Sequence, residues 1–454
     1  MRGHANQKGL ALIAMLAAVV LLGAAAARGA DEQRQFDELI QSLKQKGVPI
    51  LPADFSTKPV PSADDAAPAL LAAAKRIELE SKAWKDLDQI EERLPASPHE
   101  AEVYHAIVTA NAQALTLSDQ ALVRKGADWK VTVTSPVVHV LLPHLHGQRS
   151  VAHLLRVAAL DAYARGDHRQ AVERVRQLLA LGRLIDRQPF LVSHLVAIGV
   201  GSMTCDCISQ MTPDLQIGSA NKPDPKAATA AQMRALLADL LDENALGDGL
   251  KIALQSERMC ELDTAGSLIS GAMSWEELTG AVGGGKDAAE PQDLKSVALR
   301  DAKTMSDQMA LVEIAARSAD YPTFLKQKPP APQGLDQAPL AKLLMPAMDR
   351  ALLHQFRALT ERRLAATELA VRWYAVDSDG KFPAGLADLS PRYLPAILSD
   401  PMAAKQPLAY KPDAKILYSV GEDGVDGGGD EKPATPGRTG GWFMPDYVIH
   451  LTRP

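Results

Sequence analysis

At 454 residues the chain is long enough for two or three domains with real cores. Aromatic residues make up only 4% while alanine and leucine abound, which favours helix over sheet. The net charge of -6 is mild, and no dense Lys/Arg stripe with interleaved aromatics runs through the sequence, which argues against nucleic acid as a partner.

The N-terminus reads as a targeting segment. Arg2 and Lys8 form a thin basic start, Leu10 to Leu22 is apolar, and Ala24 to Ala27 offers a small-residue cleavage site, so residues 1–30 are expected to be a signal peptide cut after Ala27. The stretch from Gly9 to Ala27 approaches the ~20 residues that span a bilayer, so an uncleaved anchor is the alternative. No Cys follows the run, and no later segment reads as a span. The expected location is the periplasm or cell envelope, with membrane contact only through this segment. Export allows disulfides, but Cys205, Cys207 and Cys260 are an odd set. On a helix Cys205 and Cys207 point apart, so the three read as small buried hydrophobes, with a bridge from Cys260 to one of them as the alternative.

Residues 31–327 read as a helical domain. Asp31 to Gly47 is a short helix closed by Val48-Pro49-Ile50-Leu51-Pro52. Ala66 to Arg93 and Pro98 to Gly126 carry apolar residues at helical spacing around a Pro-Ala-Ser-Pro turn and predict two antiparallel helices. Trp129 to Val133 alternates like a strand. Ser150 to Arg165 and His168 to Leu184 predict a hairpin about Gly166-Asp167, followed by a more apolar helix from Pro189 to Met211. Ala159, Gly166, Asp167, Ala171 and Leu178 fall where a tetratricopeptide-type hairpin places its small and apolar contacts, but no second copy follows at that period, so one packed hairpin is expected rather than a solenoid. Lys226 to Asn244, Leu250 to Asp263 and Leu294 to Ser318 also predict helices, with a glycine-punctuated, mobile stretch from Ala265 to Asp293.

Lys328-Pro329-Pro330-Ala331-Pro332 marks a stiff linker over 328–339 and a domain boundary. Beyond it, residues 340–454 read as a small α+β unit. Leu352, Phe356, Leu359, Ala366, Ala370 and Trp373 form one stripe of a long helix, which Asp379-Gly380 should end with a left-handed cap. Leu408 to Tyr410, Ile416 to Val420 and Tyr447 to Leu451 predict strands. Between the last two lies an acidic, glycine-rich loop with Glu422, Asp423, Asp426, Asp430 and Glu431 crowded around a single cation, Lys432. Carboxylates this close repel unless relieved, and the glycines let the backbone aim carbonyls inward. A hard cation taking six to eight oxygens, calcium above all, suits that mixture, although the spacing is not that of an EF-hand; a solvated flexible loop is the alternative.

Residues 353 to 449 resemble the globular part of type II secretion major pseudopilins. The parallels are a helix running into Asp379-Gly380-Lys381-Phe382-Pro383, then Leu386-Ala387-Asp388-Leu389, Asp400-Pro401, Pro407-Leu408-Ala409-Tyr410, Tyr418-Ser419-Val420-Gly421-Glu422-Asp423-Gly424, and an acidic loop before the last strand. The resemblance implies a calcium ion in that loop, held by the side chains of Asp423, Asp426 and Asp430 with help from the carbonyls of Leu417 and Val420. Ala14 stands where a pseudopilin carries glutamate in its membrane helix, and about three hundred residues intervene before the pseudopilin-like part. The layout as a whole is similar to a family of uncharacterised exported bacterial proteins, which implies architecture and no activity.

Other motifs point to no reaction. His139, His144, His146 and His153 lie close in sequence, but no carboxylate or thiolate stands at ligand spacing, and Pro143 and Gly147 should place His144 and His146 on a turn. Gly280 to Lys286 formally satisfies G-x-x-x-x-G-K, yet Asp287 replaces the magnesium-binding Ser/Thr and no strand precedes it. Ser193 and His194 are adjacent and point apart on a helix. The expectation is therefore a mainly α protein of helical hairpins with a pseudopilin-like α+β tail: an exported, non-catalytic envelope scaffold that binds a protein partner. The alternatives are a membrane-anchored accessory of a secretion or pilus-like system and a hydrolase whose site is assembled from distant residues.

Overall fold

The computed structural model describes residues 29–56, 59–90, 92–218, 224–283, 289–332, 338–345, 348–433 and 440–453. The expected signal segment and the latter part of the G-x-x-x-x-G-K stretch lie outside the described residues. The protein is mainly helical with a small antiparallel sheet near the C-terminus.

Residues 29–45 form the first helix, α1. The single helix expected over Ala66 to Arg93 is instead broken into α2 (Ala67–Ala74) and α3 (Lys82–Leu87). The break is held from outside: the Asn111 side chain accepts a hydrogen bond from the Glu78 amide at 3.0 Å, which a continuous helix would have used internally. Next come α4 (Pro98–Ala110), opened by a Ser97–Glu100 capping box with Pro98 in its first turn, and α5 (Ala112–Leu122). Trp129 to Val133 forms no strand. Lys130 sits at φ 57, and the Trp129 indole N–H reaches across to the Leu184 carbonyl at 3.1 Å, so the segment is pinned to a helix rather than to a neighbouring strand.

The central hairpin is α6 (His144–Ala164) and α7 (His168–Ile185). Gly166 makes the left-handed turn at φ 72, and Asp167 caps α7 by accepting from the Gln170 amide at 2.9 Å. α6 begins earlier than expected, with His144 and His146 in its first turn. Gly147 lets it do so: a Cβ there would lie 2.9 Å from that of Ala74 on α2. Helix α8 (Leu191–Met211) follows and is a core helix. With its extension to Asp214 it is long and apolar enough to cross a membrane by length and composition, although no such segment was expected here; its 18-residue window has mean hydropathy 1.6, and 61% of that window is buried inside the protein.

Helices α9 (Ala230–Leu240), α10 (Glu243–Ser270), α11 (Trp275–Ala281), α12 (Leu294–Ala315) and α13 (Tyr321–Gln327) complete the body. The glycine-punctuated stretch after Ala265 is more ordered than its composition suggests: α10 runs through to Ser270, and a Ser274–Glu277 capping box opens α11. Gly266 is there for packing, since an added Cβ would stand 2.8 Å from the Phe36 ring of α1.

The tail starts with α14 (Pro339–Leu344) and α15 (Met348–Asp377). Gly380, at φ 83, ends the long helix by donating to the Ala375 carbonyl at 2.8 Å, in the manner the Asp-Gly pair predicts. Three strands, β1 (Ala409–Lys411), β2 (Ile416–Ser419) and β3 (Tyr447–His450), pair antiparallel in the order β1-β2-β3, with Tyr410 opposite Leu417 and Leu417 opposite Ile449. Asp400 ties the loop before the sheet to the end of β2, accepting from the Met402 and Val420 amides and the Ser419 hydroxyl at 2.8–2.9 Å.

The Pro-rich segment does not interrupt the core. Leu340 and Ala341 pack with Phe36, Leu262 and Met305 of the body. Met348, Leu352 and Phe356 pack with Leu254, Met309 and Phe324, and Leu364, Leu369, Leu417 and Ile449 belong to the same apolar cluster as Leu154, Leu178 and Ile208. At the far end Arg453 reaches the Leu94 and Gln210 carbonyls and the Asp214 carboxylate.

Candidate functional site at the junction of body and tail

Helices α8 and α15 run parallel and are joined by a polar seam that is buried along its α15 side and half-buried at the two serines of α8. His194 Nε2 faces Gln355 Oε1 at 3.1 Å, the Ser202 hydroxyl donates to Glu361 at 2.5 Å, and the Ser209 hydroxyl donates to Glu368 at 2.7 Å. Successive pairs lie about two helical turns apart, so they recur on one face of each helix. Glu361 also accepts from the Trp442 indole at 2.7 Å, which brings the segment before β3 onto the same seam. A hydrogen bond of this kind contributes only about 1 kcal/mol net, but each partner left alone in the core costs about 1–3 kcal/mol, so the ladder selects one register over its neighbours.

Burial sets the protonation of these acids. Glu368 is pushed from its ordinary 4.5 up to about 8 by burial, opposed only in part by Ser209, and its second oxygen has no hydrogen-bond partner among the described residues. Glu361 is raised by burial against the pull of Ser202, Trp442 and Arg357. On α10, burial lifts Glu261 to about 8 despite neighbouring Arg258. Burial likewise pushes the Cys207 thiol up to about 12 and raises the Cys205 thiol well above its ordinary range; with Cys260 they are free thiols.

At the start of the seam His194 is fully buried, and its Nδ1 lies 2.6 Å from Asp186 Oδ1. This pair closes the corner between α7 and α8. Gly249 makes room for it, since a Cβ there would stand 2.1 Å from Asp186 Oδ2, which explains why α10 tolerates glycine so near its start. Beside the pair opens a cleft of about 360 Å³ bounded by α7, α8, the first turns of α10 and Arg362 of α15. Arg362 donates to the carbonyls of Asp239 and Leu240 at 2.7–2.8 Å, so a tail cation closes the C-terminal end of α9. Both imidazole nitrogens are engaged and the Ser193 hydroxyl is buried without a partner, so among the described residues the Asp186–His194 pair is joined to Gln355 rather than to a nucleophile.

The residues singled out in the sequence lie elsewhere. Asp423 accepts from the Val425 amide at 2.9 Å, Asp426 from the Tyr418 hydroxyl at 3.0 Å and the Gly428 amide at 2.8 Å, and Asp430 from the Lys432 amide at 2.9 Å. Glu422 pairs with Arg357 of α15, and Glu431 with His450. Amides of the loop converge on one internal group: Gly427, Gly429 and Asp430 donate at 2.7–3.2 Å to the fully buried carboxylate of Asp446, just before β3. An internal anion organises the loop, and sequence reasoning missed it because Asp446 lies beyond the acidic cluster. Among the described residues, no group of three or more His, Cys, Asp or Glu side chains is placed to hold a metal ion. Asp446→Ala should strand three donors and lower the unfolding free energy by about 2–4 kcal/mol, whereas exposed Asp423→Ala should change it by less than about 0.5 kcal/mol; urea midpoints of the full chain read both.

The four clustered histidines do not converge. His144 is stacked on Trp129 at 4.9 Å between centroids and held by burial at about 4, while His153 lies 3.1 Å from Glu92. The polar seam did leave a signal: Gln355, Glu361 and Glu368 sit on α15 among apolar positions, where a solvated helix face would not put them.

No family model, no curated protein and no solved structure matches this chain.

Proposed function

We propose that the chain is an exported, non-catalytic protein of the cell envelope that serves as a helical binding scaffold for a protein partner, with its C-terminal unit docked on the body in a single register. The α8–α15 seam carries this reading. A ladder of buried polar pairs adds little net stability, and its best-attested use is to fix how two elements meet. The α6–α7 hairpin supports a tetratricopeptide-like body. The helix, Gly380 turn, three strands and acidic loop of the tail support the pseudopilin-like comparison. Cell fractionation with intact-mass analysis tests the reading: the chain should be recovered outside the cytoplasm and begin at Arg28. Recovery from the cytoplasm sinks it, and an envelope-bound chain still carrying residues 1–27 favours the membrane-anchored accessory of a secretion or pilus-like system.

Calcium belongs to the same reading of the tail, with Asp423, Asp426 and Asp430 as ligands. Because the tail shares its core with the body, the test uses the full chain. Calcium should raise the melting temperature of the wild type, and Asp423→Ala should abolish the rise; a flat wild-type response removes the ion.

A further inference from the structure

The cleft beside the Asp186–His194 pair has the features of a small-ligand site. Its volume, about 360 Å³, lies within the ~300–1,000 Å³ usual for such pockets. Leu178, Leu179, Leu246 and Ile252 supply an apolar lining. Gly182 on α7 and Gly201 on α8 both line it; a Cβ added to Gly182 would stand 3.6 Å from the Ala197 carbonyl of α8, whereas one added to Gly201 would meet nothing within 4 Å among the described residues.

Both signs of charge line this one cleft. Arg183 and Arg187 come from the end of α7, and Asp242 and Asp248 from the start of α10. Arg183 already pairs with Asp239 at 3.1 Å, Arg362 with the α9 carbonyls, and Asp186 with His194. Among the described residues, exposed Arg187 and exposed Asp248 have no ion-pair partner and exposed Asp242 has only the nearby charge of Arg362, so these three are the charges left to meet a ligand. A purely anionic ligand would meet the two aspartates, and a purely cationic one would meet Arg187, unpaired in each case. A molecule that carries both charges on one end and an apolar group on the other satisfies all three surfaces.

We propose that this cleft binds a free hydrophobic α-amino acid, its carboxylate on Arg187, its ammonium on Asp242 and Asp248, and its side chain against the leucines. Arg362 also lines the cleft, so bound ligand would touch both the body and the tail helix. The site would fill in this way whether or not the chain acts as an envelope scaffold.

The test is thermal unfolding of the full chain with L-leucine, L-methionine or L-phenylalanine, repeated with N-acetyl-leucine and leucine amide, each of which lacks one charge. At least one free amino acid should raise Tm by about 2–4 °C at a hundredfold excess over Kd, and both blocked compounds should lose most of that shift. Gly201→Leu fills the space and should abolish the response; Gly201→Ala, with open room for its methyl and a better helix former, should melt at or above the wild type. If the leucine variant does not fold, Arg187→Ala and Asp248→Ala, both at exposed positions, should each weaken binding about tenfold or more. Flat responses to all three amino acids overturn the proposal. So do blocked compounds that bind as well as the free ones, or a response that survives in a folded Gly201→Leu chain.

Discussion

Glu368→Gln should raise the melting temperature of the protein at pH 8 and leave it nearly unchanged at pH 4.5. Glu368 lies within the α8–α15 seam, where burial moves its carboxyl from 4.5 up to about 8. In the unfolded chain it loses its proton near 4.5, whereas the folded chain holds that proton until about 8. Between those values the unfolded state binds fewer protons than the folded one, so stability falls as pH rises. The contribution is fully present below the unfolded pKa and is lost as pH climbs through the folded one. Each pH unit in that window is worth about 1.4 kcal/mol at most, and after allowance for relaxation around the group the loss at pH 8 is on the order of 2–4 kcal/mol. Glutamine keeps the shape and the acceptor for the Ser209 hydroxyl, has no proton to lose, and removes that slope. Glu261 and its neighbour Glu257, raised by burial to about 8 and about 7, should leave a further slope in the variant. A wild-type Tm that stays level from pH 4.5 to 8, or a Glu368→Gln chain with an undiminished slope, would show that Glu368 ionises freely in the folded protein.

Gly421→Ala should be the most damaging small substitution in the tail. Gly421 sits just after β2 at φ 70, and a Cβ there would lie 2.0 Å from the backbone carbonyl oxygen of Pro445. The left-handed backbone alone costs about 1 kcal/mol for alanine, and relieving the overlap means separating the end of β2 from the segment leading into β3, for about 1–3 kcal/mol more. Gly424 provides the control. It shares the positive φ, at 67, but its nearest neighbour would be 3.6 Å away, so Gly424→Ala should cost only about 1 kcal/mol. Urea unfolding of the full chain separates the two, and equal midpoints for both variants would mean that the Pro445 contact yields without cost. The contact also bears on calcium, because the chain segment that Pro445 begins carries Asp446, the anion around which the acidic loop is wrapped.

Much of the fold was legible because its causes are local. The Ser97-Pro98 cap, the Gly166-Asp167 turn, the apolar stripe of α15 and the Gly380 stop each depend on residues within a few positions of one another. The misreadings share the opposite character. The expected helix over Ala66 to Arg93 is broken by an asparagine at the junction of two other helices, and Trp129 is held by a carbonyl far along the chain. Glycines at 249 and 266 look like helix weaknesses until the close approach of Asp186 and Phe36 is seen. The acidic loop was visible as charge, but the direction in which its amides point was not.

By itself, the sequence determined a mainly helical chain with a small strand-bearing tail and the places where its helices turn, since helical periodicity and left-handed glycine are settled by neighbouring residues. Long-range packing made the tail part of the core and selected which polar groups it buries there. Ser202 meets Glu361 and Ser209 meets Glu368 across 159 positions, a match that rests on how two helices align after the chain has collapsed. Desolvation, which pushes the Glu368 carboxyl upward and leaves a charged cleft beside His194, comes from that packing and has no counterpart in local composition.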